Sequence, residues 1–135
     1  MIVVDSSAIA AIALAEPEGF RFAQAIEADG DARLSAANYL EMANVMEGRH
    51  GASGQVLFDG CVSRLRAAGL LIVAFDETQA DLAREGFRRF GKGRHAAGLN
   101  FGDCFAYALA KALDAPLLFK GDDFAKTDIK AAIEG

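Results

Sequence analysis

The chain has 135 residues, 53% hydrophobic and 24% charged, with 14 basic and 19 acidic side chains for a formal charge of −5. That length and balance suit a single folded domain, residues 1–135, with a substantial core, and exclude a disordered chain. They also exclude a nucleic-acid binder that works by overall positive charge, so any hold on a polyanion must come from a local basic patch or a metal.

The β-branched run Ile2-Val3-Val4 predicts a buried strand that begins almost at the first residue. Asp5-Ser6-Ser7 breaks it and can cap an alanine-rich helix running to about Leu14. Pro17 suits the first turn of a second helix, through about Ala28, and Asp29-Gly30-Asp31 reads as a turn. A short strand is expected over 33–35, a helix over 36–48, a loop over 51–54 and a longer helix over 55–68. Residues 70–75 read as a second clear buried strand, and Asp76 caps a helix to about Phe90. A glycine-rich basic loop, 91–98, precedes a nearly all-apolar helix over 102–113. Leu117-Leu118-Phe119 is a third clear strand, with Asp122-Asp123-Phe124 opening the turn after it. Strands alternating with helices imply an α/β fold with a parallel sheet covered on both faces.

No apolar run reaches membrane-spanning length, and no basic segment precedes the first hydrophobic stretch. A cytoplasmic protein without a membrane segment is therefore expected. Cys61 and Cys104 match no zinc or redox spacing and read as buried free thiols.

In such sheets the working groups lie beyond the carboxyl ends of the strands. Asp5 follows the first strand directly and Asp122 lies just beyond the last, while Glu41 and Asp103 fall within or at the start of helices. Acidic groups gathered at one sheet edge need an offsetting charge, and a divalent cation bound by oxygen ligands supplies it. Each acid also has a plainer reading. Asp5 can be a helix cap, although Ser6 and Ser7 could do that work. Asp103, in Asn100-Phe101-Gly102-Asp103, can cap the apolar helix, where the dipole favours its ionised form. Asn38, Glu41 and Asn44 are spaced by three and form one polar stripe, which periodicity alone assigns to the wet face of an amphipathic helix. Asp122 and Asp123 can be turn formers, and physics does not choose between them.

Arg84, Arg88, Arg89, Lys92, Arg94 and His95 form the one concentrated basic segment. It reads either as a solvated helix end or as a phosphate clamp beside the acids. Lys120 can serve phosphate or balance charge.

Four segments taken together resemble the PIN-domain ribonucleases, and more narrowly the VapC toxins of bacterial type II toxin–antitoxin pairs. They are Ile2-Val3-Val4-Asp5-Ser6-Ser7, Asn38-Tyr39-Leu40-Glu41, Leu99-Asn100-Phe101-Gly102-Asp103-Cys104-Phe105-Ala106-Tyr107-Ala108-Leu109-Ala110, and Leu117-Leu118-Phe119-Lys120-Gly121-Asp122-Asp123-Phe124. The resemblance implies a PIN-like three-layer α/β/α fold with a central parallel sheet of about four or five strands. It implies an acidic pocket with Mg²⁺ or Mn²⁺, in which Asp5 and Asp103 fall on the metal-binding positions and Glu41 on the third acid. Many relatives carry the fourth acid where this chain has Gly121, so Asp122 would take that place from one residue later. Ser6 or Ser7 matches the small hydroxyl beside the first aspartate. The implied activity is Mg-dependent endonucleolytic hydrolysis of RNA, with Arg84, Arg88, Lys92 and Arg94 holding flanking phosphates. The implied partners are a small antitoxin protein and a second copy in a homodimer.

Two other classes compete. A phosphotransferase with an aspartyl nucleophile would carry a second Asp where this chain has Ser7, and a receiver domain would carry an acidic pair at Asp5. A catalytically inert binding module is the third class.

Overall fold

Four short strands, all parallel, organise the chain, as seen in a computed structural model that describes residues 1–133. They are β1 (Ile2–Val4), β2 (Ala32–Ser35), β3 (Leu71–Val73) and β4 (Leu117–Leu118), in the order β3-β2-β1-β4. The helices between them are α1 (Ser6–Ala13), α2 (Gly19–Asp29), α3 (Ala36–Ala67), α4 (Glu77–Phe90) and α5 (Phe101–Leu113), and a 3₁₀ turn covers Phe124–Lys126. Parallel strands require crossover connections, and here helices supply them.

Successive residues of a strand face opposite sides, and β1 uses both. Ile2 and Val4 pack into one apolar cluster with α1, α2 and α3, whereas Val3 packs into another with α4 and α5. β4 splits the same way, with Leu118 in the first cluster and Leu117 in the second. The result is the expected three-layer α/β/α sandwich. Cys61 and Cys104 are free and buried, one in each cluster.

β1 is central, so its end is fixed from both sides. Val3 pairs with Arg33 of β2 and with Leu117 of β4. The Asp5 amide extends the second ladder by donating to the Leu118 carbonyl at 2.9 Å. The first acid is thereby anchored at the carboxyl edge of the sheet.

Two expectations change. The stretch over 70–75 is shorter than predicted and is not a buried strand. β3 lies at the sheet edge, and Leu71 is 53% exposed. Apolar content signalled a strand but not its rank in the sheet. The predicted loop over 51–54 shrinks to a kink at Gly51 (φ 60°, ψ −140°), and helical structure continues on either side. Gly54 lets the two segments pack tightly, because a Cβ there would strike the Met46 carbonyl.

Candidate active site

Asp5 caps α1 as the plainer reading holds, but with only one of its oxygens. Its Oδ2 accepts from the Ser7 amide at 3.0 Å and from Ser7 Oγ at 2.6 Å. The other oxygen, Oδ1, is buried without a hydrogen-bond partner. Ser7 is held in turn by the Lys120 amide, which donates to Ser7 Oγ at 2.9 Å and ties the loop after β4 to the start of α1. Asp5 is 3% exposed. Burial pushes its carboxyl up to about 7; the Ser7 hydrogen bonds oppose this, and the charges of Asp103 and Glu41 add to it.

Glu41 is not on a solvated face, contrary to the periodicity. Ser6 Oγ donates to Glu41 Oε1 at 2.7 Å, and Asn38 Nδ2 donates to the same oxygen at 3.2 Å. Asn38 is fully buried, and its Nδ2 also donates to the Gly102 carbonyl at 2.9 Å, joining α3 to the start of α5. Only Asn44, at the far end of the stripe, is exposed. A Cβ at Gly102 would meet the Glu41 carboxylate, so a larger residue there would push that carboxylate aside. Asn38 and Gly102 support the site, and periodicity assigned neither to it. The available signals were the spacing of Asn38 three before Glu41 and the presence of both residues in the segments that resemble the family.

Asp103 sits in a capping box. Its amide donates to Asn100 Oδ1 at 2.9 Å, and its Oδ2 accepts from the Asn100 amide at 3.0 Å. Capping thus fixes the carboxylate at the head of α5. Burial raises its affinity for a proton; the Asn100 amide opposes this, while the nearby charges of Asp123 and Glu41 add to it. Of the adjacent pair in the last loop, it is the charge of Asp123 that bears on Asp103. Asp122, the expected fourth acid, is exposed and does not figure there. Gly121 turns the chain with φ 98°, one residue before the pair.

The basic segment divides. Arg84, Arg88 and Lys92 line a groove between α4 and α5. Arg94 is not among its lining residues and sits over the Phe87 ring at 5.4 Å. His95 accepts from the Ala97 amide through Nδ1 and packs edge-on against Phe90, so its role is structural. Lys120 is bound to Glu16 at 3.3 Å and Glu18 at 3.2 Å, so it balances charge.

The donor set suits a hard divalent cation. It consists of carboxylate oxygens, mutually repelling, with one buried oxygen of Asp5 left unpartnered. Among the described residues, no three His, Cys, Asp or Glu side chains converge closely enough to enclose an ion by themselves. An ion that keeps much of its water shell needs fewer protein ligands than that.

Comparison with known proteins agrees with this geometry. The PIN domain model matches residues 2–130. The chain therefore belongs to the PIN-domain family. Within that family it is similar to VapC ribonucleases. It is 49% identical over 128 residues to Ribonuclease VapC30 of Mycobacterium tuberculosis, covering 95% of both chains. It is 48% identical over 130 residues to Ribonuclease VapC of Mycolicibacterium smegmatis, covering 96% of this chain and 98% of that one. The crystal structure of Mycobacterium tuberculosis VapC20, a toxin described as cleaving the sarcin-ricin loop, shares the fold with a TM-score of 0.72 at 15% identity over 96% of each chain. The chain is a VapC-type PIN protein.

Proposed function

We propose that this protein is a metal-dependent endoribonuclease, the toxin of a toxin–antitoxin pair, acting from a single PIN-like domain. The VapC relationship makes it a toxin ribonuclease. The observation that carries the metal dependence is the unpartnered, buried oxygen of Asp5, a carboxyl on which the charges of Asp103 and Glu41 also bear.

Asp5 and Asp103 would hold Mg²⁺, with Mn²⁺ as a substitute, and Glu41 would act beside them. A bound ion of this kind acidifies water and offsets charge on the phosphate oxygens. The chain's own residues do the positioning. Ser7 fixes the Asp5 rotamer, Ser6 and Asn38 fix Glu41, and Asn100 fixes Asp103. Asp123 is a better candidate than Asp122 for the fourth acid, because its charge reaches Asp103. Arg84, Arg88 and Lys92 are placed to hold flanking phosphates, and Arg94 lies over the ring of Phe87, which lines the same groove.

RNA is the substrate and a small antitoxin the protein partner in this reading, with a homodimer as the assembly. Among the described residues no helix is long and apolar enough to cross a membrane; RNA as substrate implies the cytoplasm.

The test is cleavage of single-stranded RNA by the purified protein with Mg²⁺, reversed by EDTA, alongside Asp5→Asn and Asp103→Asn. Each substitution should reduce cleavage by more than the roughly 10–100-fold typical of a residue that only supports a metal ligand. Both variants should keep the native circular dichroism spectrum. Full activity in both would remove the reading.

A further inference from the structure

Beside the acidic site, α4 and α5 enclose a groove of about 790 Å³, within the range of sites that take small organic groups. Its wall is aromatic: Phe75, Phe87, Phe101 and Phe105 all line it. Phe105 stands edge-on to both Phe75 and Phe101, with centroids at 4.9 and 4.8 Å. Phe101, at the end of this row, is 79% exposed. Exposure alone does not set it apart, since Phe20 is 76% exposed; its place in a row of packed rings lining one groove does. It lies two residues before Asp103, and Asn100, the capping partner of Asp103, lines the same groove.

The rim is basic. Arg84, Arg88 and Lys92 line the groove and, among the described residues, no acidic side chain does, in a chain whose net charge is −5. Arg84 has a long ion pair to Asp81 at 3.6 Å, and both partners are exposed. Cations and aromatic rings lining one groove, with the Phe101 ring exposed, match single-stranded nucleic acid, whose backbone is anionic and whose bases present π-faces. A second copy of this chain fits less well, because a two-fold pairing over the groove would set the same basic rim against itself.

We propose that the α4/α5 groove is a stacking platform for an unpaired base of the RNA substrate, with Phe101 as its exposed ring and Arg88 and Lys92 on the adjoining phosphates. The platform selects single-stranded over duplex RNA and rests on the ribonuclease reading above. Phe101 is a specificity residue that touches substrate away from the reacting phosphate.

The test is the affinity of the full chain for a fluorescein-labelled, unstructured RNA dodecamer, read by fluorescence anisotropy with Ca²⁺ in place of Mg²⁺. Phe101→Ala should weaken binding about tenfold, as removal of one stacked base does, and leave binding to a duplex of the same sequence unchanged. Phe101→Tyr keeps the ring face and should bind within about twofold of wild type. Replacing Arg88 and Lys92 by Gln should weaken binding and flatten its salt dependence. Unchanged dodecamer affinity in Phe101→Ala, or no measurable binding by wild type, overturns the platform. So does a shift of Phe101→Ala to a smaller species in sedimentation, which would assign the groove to a second protein chain. Failure of the ribonuclease reading is scored separately, as absence of Mg²⁺-stimulated cleavage by the wild-type protein.

Discussion

The two halves of the acidic cluster are built from the same chemistry and held in opposite ways. Asp5 caps α1 at the end of β1 and Glu41 sits within α3, and each has a neighbouring hydroxyl donating to one of its oxygens. Asp122 and Asp123 sit on an exposed loop, and neither anchors a helix through its side chain. The buried half gains positional precision at a cost in stability, since desolvation and like charge both act on Asp5. The exposed half costs little and is correspondingly less fixed. A cation would relieve the first half far more than the second.

Breaking the support of the buried half should have the largest effect. Asn38→Ala removes the donor shared by Glu41 and the Gly102 carbonyl and leaves that buried carbonyl without it. Mg²⁺-dependent cleavage should fall about 10–100-fold, with a lowered melting temperature. Cleavage at the wild-type rate would show that Glu41 needs no such clamp.

The next effect is on stability against pH. In the folded protein the Asp5 carboxyl is pushed up to about 7 from 3.8. Between those values the folded state binds the extra proton, so this group's stabilisation falls as pH rises. Its share is at most about 4 kcal/mol between pH 4 and pH 8 in the absence of metal. Asp5→Asn should therefore be more stable than wild type at pH 8 and closer to it at pH 4.5, in urea melts with EDTA. Mg²⁺ should raise the wild-type melting temperature more at pH 8 than at pH 5. Equal Mg²⁺ responses at the two pH values, or a stability gap to the Asn variant that does not narrow from pH 8 to pH 4.5, would dissociate the buried carboxylate from metal binding.

The smallest effect should come from the exposed half. Asp123→Asn should lower cleavage several-fold and Asp122→Asn less, because the Asp123 charge is the one that bears on Asp103. The reverse ranking, from Mg²⁺ titrations of both variants, would restore Asp122 as the fourth acid.

Much of this was legible in advance, for identifiable reasons. Asp5 follows a β-branched run directly, and a parallel sheet puts such a residue at its working edge. Asn100 and Asp103 carry a capping spacing that needs no tertiary partner. The alternation of strands and helices sufficed for the three-layer sandwich. Glu41 was misread by periodicity, because a stripe spaced by three says that residues share a face and not what that face meets. Asn38 is buried by the start of α5, 64 residues away, and no local pattern encodes that contact. The rank of β3 at the sheet edge, and with it the exposure of Leu71, was likewise invisible.

By itself, then, the amino-acid order determined what depends on neighbours along the chain: strand and helix periods, caps and the placement of Asp5 and Asp103 at element ends. Tertiary structure alone decided which carboxylates bear on one another's charge, that Asp123 rather than Asp122 bears on Asp103, and that Phe101 ends an aromatic row with a basic rim. The reason is physical. Caps and periods are set by hydrogen bonds and torsions a few residues apart, whereas burial, charge coupling and groove shape arise only when distant segments exclude water from one another.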